Sequence, residues 1–339
     1  MKVIIDTLGG DNAPTAALEG AVLALKKDPA LELVLVGQSS VIEPALVRLD
    51  KGGKLKARIE VLEASENITC DEQPVTAIKT KPNSSIVQGL TALKTRDDCG
   101  AFVSAGSTGA VLTGGFLKVG RVEGVSRPAM SPVIPTKTGK SVIIVDVGAN
   151  MDCKPINLVH FALMGSVYMR ALGRENPRVA LVNVGTEEAK GNELTHATFT
   201  ELTRLHQAGE LNFVGHMEAH DLYSGKYDVV VCDGFVGNVM LKTLEGTISF
   251  VMHRLKKCMT GFFGTIGKLF LAKRLLDMKR EVEKDTAVGT IFLGIKKPVL
   301  KVHGNCKPKA FVHAIGLAGR VANLNLGEQI KNAVSVAAE

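Results

Sequence analysis

Five stretches of the sequence run from an apolar segment into a short loop of glycine with hydroxyl, amide or carboxylate side chains. Asp6 leads into Leu8-Gly9-Gly10-Asp11-Asn12-Ala13-Pro14, and Val103 into Ser104-Ala105-Gly106-Ser107-Thr108-Gly109-Ala110. Val145 leads into Asp146-Val147-Gly148-Ala149-Asn150-Met151-Asp152, Val184 into Gly185-Thr186-Glu187-Glu188-Ala189-Lys190-Gly191-Asn192, and Val231 into Cys232-Asp233-Gly234-Phe235-Val236-Gly237-Asn238. In open α/β sheets such loops lie at the carboxyl ends of strands, where ligands bind. One shared cleft is the expectation. Gly106, Ser107 and Thr108 can turn backbone N–H groups and hydroxyls toward one point, a set suited to phosphate. The same residues read equally well as a helix N-cap. Lys190 could neutralise an oxyanion and Asn192 donate to it. Asp233 ends the apolar run Val229-Val230-Val231-Cys232, where a carboxylate is costly without a partner. Asn238 opens a helix whose first turn would set Lys242 over the cleft or its rim. Singly, each lysine reads as a solvated surface group. Cys232, in a buried strand, reads as inert core more than as a nucleophile.

Other chemistries are excluded by what the sequence lacks. No two glycines stand two positions apart, so the dinucleotide fingerprint is absent; so are the Walker loop, the G-x-S-x-G elbow and H-E-x-x-H. The six cysteines contain no C-x-x-C, against a zinc ribbon or thioredoxin-like site, and their scatter suggests a reducing cytoplasm. Asp6 interrupts any signal-peptide apolar region. The uncharged stretch 99–117 carries five glycines and is a poor membrane span.

The elements that must hold these loops follow from hydropathy. Near-continuous Val, Ile and Leu runs predict strands over 3–6, 31–37, 58–64, 100–105, 141–148, 178–185, 211–218 and 227–234, with a last one over 298–304. Such runs fit strands covered on both faces. Helices are expected over 13–27, 85–95, 108–119, 156–172, 192–207 and 237–257. The alternation predicts a mostly parallel sheet with helices on both faces. With 339 residues, 45% hydrophobic and 22% charged, the chain has the composition of an ordinary soluble α/β protein. Trp is absent, so the core must be aliphatic.

The net charge of +7 has one source: the segment from Arg254 to Arg280 carries eight of the 41 basic residues and one of the 34 acidic ones. A nucleic-acid partner is therefore not expected, since its footprint would spread over the fold. Apolar residues at helical spacing flank a glycine-punctuated turn bearing Phe262, Phe263 and Ile266, with Lys256, Lys257 and Lys268 beside it. Residues 248–284 are expected to form a basic amphipathic hairpin inserted in a single catalytic α/β unit spanning 1–339. Its apolar tip and basic flanks suit an anionic membrane surface. An acidic protein partner or a dimer interface are the other readings.

Together the five loops, with Cys153-Lys154-Pro155 after the third and Val239-Met240-Leu241-Lys242 after the fifth, resemble those of the bacterial phosphate acyltransferases (acyl-[acyl-carrier-protein]:phosphate transacylases), in order over nearly the whole chain. The resemblance implies a Rossmann-like α/β/α sandwich related to the phosphotransacetylase and isocitrate/isopropylmalate dehydrogenase fold. It implies reversible fatty acyl transfer from acyl carrier protein to inorganic phosphate, without cofactor or metal. The acyl phosphate would feed a glycerol-3-phosphate acyltransferase in phospholipid synthesis. It further implies a cytoplasmic homodimer peripherally associated with the inner face of the membrane. Ser107, Thr108 and Asn192, with Lys190, would hold phosphate; Asn238 and Lys242 would face the reacting groups; Asp221 or Asp233 would manage the proton. The sequence departs from the family pattern at Ile156, at His220 where arginine is usual, and at Asn305-Cys306. A coenzyme-A-dependent phosphotransacetylase, a metal-dependent hydroxyacid dehydrogenase and a non-catalytic membrane scaffold are the alternatives.

Overall fold

The computed structural model describes residues 1–260, 270, 271, 274 and 289–337. Its strands are β1 Lys2–Asp6, β2 Leu33–Gly37, β3 Ile59–Glu63, β4 Cys99–Ser104, β5 Ala129–Pro135, β6 Ser141–Val145, β7 Val179–Val182, β8 Phe213–Met217, β9 Val229–Val231, β10 Thr290–Leu293 and β11 Val299–Lys301. They form one sheet in the order β3-β2-β1-β4-β11-β10-β5-β6-β9-β7-β8. Within it, β3, β2, β1, β4 and β11 are parallel neighbours, as are β6, β9, β7 and β8. Between these halves β10 runs antiparallel to β11 and β5, and β5 antiparallel to β6. Three reversals are an odd number, so the halves point in opposite directions.

The sheet is covered on both faces because its central strands are apolar at successive positions, as in Val3-Ile4-Ile5, Leu33-Val34-Leu35-Val36, Val142-Ile143-Ile144-Val145 and Val229-Val230-Val231. Val3, Ile5, Leu33, Leu35, Ile143 and Val145 join one core with α1 Thr15–Lys27, α6 Pro155–Ala171 and the helices Pro308–Val321 and Leu326–Ser335. The intervening Ile4, Val34 and Val36 face a second core with α3 Pro74–Thr80, α4 Ser85–Thr95 and α5 Thr108–Gly114. Val142, Ile144 and Val230 face a third core, against which Met240, Leu241 and Leu244 of α8 Gly234–Cys258 pack. The period-two alternation of a strand thus feeds a core on each side. The expected mostly parallel, helix-covered sheet is present. β5, β10, α2 Ser39–Leu49, α3 and the two C-terminal helices add to the expected elements; α7 spans Glu193–Gln207.

One ion cluster ties β1, β3 and β4 together. Lys2 Nζ lies 2.9 Å from both Glu60 Oε2 and Asp98 Oδ2, and Arg96 Nη2 lies 2.8 Å from Glu60 Oε2. The Arg96 guanidinium, and then Lys2, hold the Glu60 carboxyl down at about 2, against an ordinary 4.5. A depressed carboxylate stabilises the fold fully above its unfolded value and less as pH falls through the folded one. The contribution of Glu60 should therefore disappear between about 4.5 and 2. Acid titration of the unfolding midpoint checks this: Glu60→Gln should have a shallower limb in that window, and an unchanged limb would contradict it.

Candidate functional site

The reversal of the sheet splits the five expected loops into two groups. Those after β1 and β4 leave one edge, where the loop after β11 joins them; those after β6, β9 and β7 leave the other. This corrects the expectation of one cleft within a single chain.

At the first edge the loops interlock around a buried carboxylate. Asp6 Oδ1 accepts from Leu8 N (3.0 Å) and Gly9 N (3.1 Å), and its Oδ2 accepts from Ser104 Oγ (2.6 Å). Ser104 Oγ in turn accepts from Gly106 N at 2.9 Å. Asp11 N donates to Gly304 O (2.8 Å), and Asn12 Nδ2 to the carbonyls of Asn305 and Cys306. Gly10, at φ +93°, passes so close that a Cβ would lie 2.8 Å from Ala105 Cβ and 2.9 Å from Gly304 O. Ser107 is buried and precedes α5 without a side-chain capping bond, while Thr108 is exposed. The hydroxyls of the phosphate candidates are thus not consumed as caps, although the Gly106 amide is already bonded.

At the second edge Asp146 is wholly buried. Its carboxylate accepts from the backbone N–H groups of Met130 (2.8 Å), Val147 (2.8 Å), Ala149 (3.2 Å) and Asn150 (2.7 Å), and from Asn150 Nδ2 (3.1 Å). Burial pushes this carboxyl above its ordinary value, and the donors pull the other way. The loop latches onto α8, where Gly234 N donates to Asn150 O at 2.7 Å. A cavity of about 300 Å³ opens beside it, walled by Leu158, Leu181, Val182, Leu194 and Val236 with Asn183, Asn192 and Asp233 among its polar lining.

The sequence candidates here have local partners. Asp233 caps α8, accepting from Val236 N at 2.8 Å, and Asn192 caps α7, accepting from Thr195 N at 2.9 Å. Lys190 pairs with Glu187 and Lys242 with Glu245, each at 2.8 Å and exposed. Asn238 is half-buried beside Gly148. Asp221 lies past β8 in a 3₁₀ turn and pairs with Lys226 at 3.0 Å; the neighbouring His220 is exposed. Ser107 and Thr108 therefore stand on one edge and Lys190 and Asn192 on the other, and one chain does not gather them around one phosphate. Burial pushes the Cys232 thiol well above its usual range, in keeping with inert core. Lys256 and Lys257 are exposed near the end of α8. Phe262, Phe263, Ile266 and Lys268, and so the tip of the expected hairpin, lie outside the described residues.

Sequence reading missed the Asp6–Ser104 pair, the Asp146 nest and the buried Lys301. The signal for the last was visible: a lysine inside the apolar run Val299-Leu300-Lys301-Val302.

A family model described as "Fatty acid synthesis protein" matches residues 1–329. The phosphate acyltransferase of Brevibacillus brevis is 41% identical over 336 residues, covering 98% of this chain and 97% of its own. That of Bacillus licheniformis is 40% identical over 343 residues, covering 100% of both. The chain belongs to the phosphate acyltransferase family. Its members named here are acyltransferases, and this chain is an acyltransferase of fatty acid synthesis by the same kinship. Among solved structures, the EutD phosphotransacetylase of Staphylococcus aureus superposes with a TM-score of 0.61 at 15% identity, over 96% of this chain and 94% of that one. A 4-hydroxythreonine-4-phosphate dehydrogenase of Salmonella typhimurium does so at 0.52 and 16%, over 95% of this chain and 100% of that one. At these identities the likeness shows that the phosphate acyltransferase fold is shared with phosphotransacetylases and dehydrogenases. Among the described residues no group of three His, Cys, Asp or Glu side chains could hold a metal ion, and no helix is long and apolar enough to cross a membrane.

Proposed function

We propose that the chain transfers a fatty acyl group reversibly from acyl-[acyl-carrier protein] to inorganic phosphate, giving acyl phosphate for a glycerol-3-phosphate acyltransferase of phospholipid synthesis. Similarity to curated phosphate acyltransferases at about 40% identity over the whole chain carries the reading. A phosphate oxygen attacks the thioester carbonyl; the C–O bond forms as the C–S bond breaks, and the thiolate leaves and takes a proton. Phosphate is itself the nucleophile, so no covalent enzyme intermediate is required. Gly106, Ser107 and Thr108 would hold it at the first edge. Asp233, Asn238, Lys242, Lys190 and Asn192 would serve the thioester from the second edge, with Asp221 or Asp233 handling the proton.

A reaction that uses both edges needs two copies of the chain, which is the role we give the homodimer. The exposed Phe235, Val239, Phe250 and Val251 of α8, whose buried residues are Gly234 and Gly237 alone among those described, support such a surface. We place the protein in the cytoplasm, the basic segment after α8 resting on the inner face of the membrane and available to the carrier protein. Complementation tests the arrangement. Ser107→Ala and Asp233→Ala should each be inactive, and unfolded and refolded together they should regain about a quarter of the parental rate, since half of a mixed dimer's sites are intact. No recovery would place both residues at one site or neither.

The activity is tested by incubating the protein with [³²P]phosphate and palmitoyl-carrier protein. Label should enter an organic-soluble, hydroxylamine-sensitive product; label that stays inorganic would overturn the proposal.

A further inference from the structure

Lys301 ends β11 at the first edge with 8% of its surface exposed, a rare place for an ammonium. Its Nζ donates to Ala105 O at 3.3 Å and, in a shorter bond, to Val302 O. Both acceptors are neutral carbonyls. An ammonium has three N–H donors, and these bonds use two. The nearby carboxylate of Asp6 is engaged by Leu8 N, Gly9 N and Ser104 Oγ instead. Burying a charge without a counter-charge is costly. Burial accordingly pushes the Lys301 ammonium below its ordinary range, while Cys306, Cys70, Asp6 and Asp11 pull it back.

The position explains why the cost is borne. Lys301 holds the carbonyl that immediately precedes Gly106-Ser107-Thr108, and it lies at the start of the loop through Gly304 that seats Asp11. It is the one buried cation among the described residues, and it sits where three glycine-bearing loops meet. We propose that Lys301 binds inorganic phosphate at this edge, its remaining N–H meeting a phosphate oxygen while its two carbonyl bonds aim it. The proposal rests on the reading of Gly106, Ser107 and Thr108 as the phosphate loop. It adds the counter-charge that those neutral groups lack.

Isothermal titration of the wild-type protein with inorganic phosphate, at constant ionic strength and without acyl donor, separates this proposal from the proposed reaction. Binding should be measurable, and Lys301→Met should weaken it about 10-fold or more, as expected for loss of a charge-assisted bond. The KM for phosphate should rise by a similar factor while the KM for acyl-carrier protein stays within about 3-fold. Lys301→Arg keeps the charge and should retain most of the binding. A wild-type protein that binds no phosphate overturns the proposal without any variant. So does a folded Lys301→Met with unchanged phosphate affinity. A rise in the donor KM alone would assign Lys301 to the phosphoryl group of the carrier's prosthetic arm and also overturn it. Phosphate binding that depends on Lys301 in a protein without turnover would sustain this site and overturn the reaction.

Discussion

Gly237→Ala should destabilise the protein by about 3 kcal/mol or more, although it replaces the weaker helix former by the strongest. Gly237 lies in the first turn of α8 against the Asp146 loop. A Cβ there would stand 1.9 Å from Asp146 O and 3.0 Å from Cys232 Sγ. The nearest atom is backbone, itself fixed by the hydrogen bond from Cys232 Sγ and by the nest around the Asp146 carboxylate, so it cannot swing aside. Gly246 of the same helix is the internal control, because a Cβ there meets nothing within 4 Å. Gly246→Ala should stabilise by up to about 1 kcal/mol. Denaturant midpoints of the two variants should move in opposite directions. A shared direction would mean that α8 does not sit on the Asp146 carbonyl.

The second large effect is at the carboxylate itself. Asp146→Ala should cost about 3 kcal/mol or more, since it takes the acceptor from the backbone N–H groups of Met130, Ala149 and Asn150, each worth roughly 1–3 kcal/mol when orphaned, while Val147 N keeps Met130 O and Asn150 Nδ2 keeps Pro128 O. It should also free the Asn150 carbonyl that receives Gly234 N, and with it the start of α8. Asp146→Asn keeps the shape but turns an NH₂ group toward donors, and should fall between the parent and Asp146→Ala. Equilibrium unfolding measures both. A cost under about 1 kcal/mol for Asp146→Ala would mean that the nest is not a structural anchor.

The parallel strands were legible because runs such as Val229-Val230-Val231 and Leu33-Val34-Leu35-Val36 are apolar on both faces, which only a covered strand tolerates. The caps were not: the cap expectation fell on the loop of Ser107, which makes no side-chain capping bond, whereas Asp233 and Asn192, expected as site residues, are the side chains that cap α8 and α7. β5 was hidden because Pro132 and Pro135 interrupt it, and β10 because its four residues sit between Gly289 and Gly294. These two strands reverse the sheet. Without them, five glycine-rich loops at five strand ends read as one cleft; with them, the same loops fall on two edges. The pairing of Lys190 with Glu187 and Lys242 with Glu245 was invisible for a different reason: a lysine's sequence context does not show whether its charge is already answered nearby. Lys301 was the converse, a charge inside an apolar run that only burial reveals as unanswered by a carboxylate.

The most direct test is phosphate-dependent release of free thiol, with acyl phosphate trapped by hydroxylamine, from palmitoyl-carrier protein beside palmitoyl-CoA and acetyl-CoA. The expected result is thiol and hydroxamate in equal amounts from the carrier protein, both abolished when phosphate is omitted. Product from a coenzyme A donor alone would contradict the account and move the chain to a phosphotransacetylase reaction. A folded protein that releases thiol from none of the three would contradict it outright.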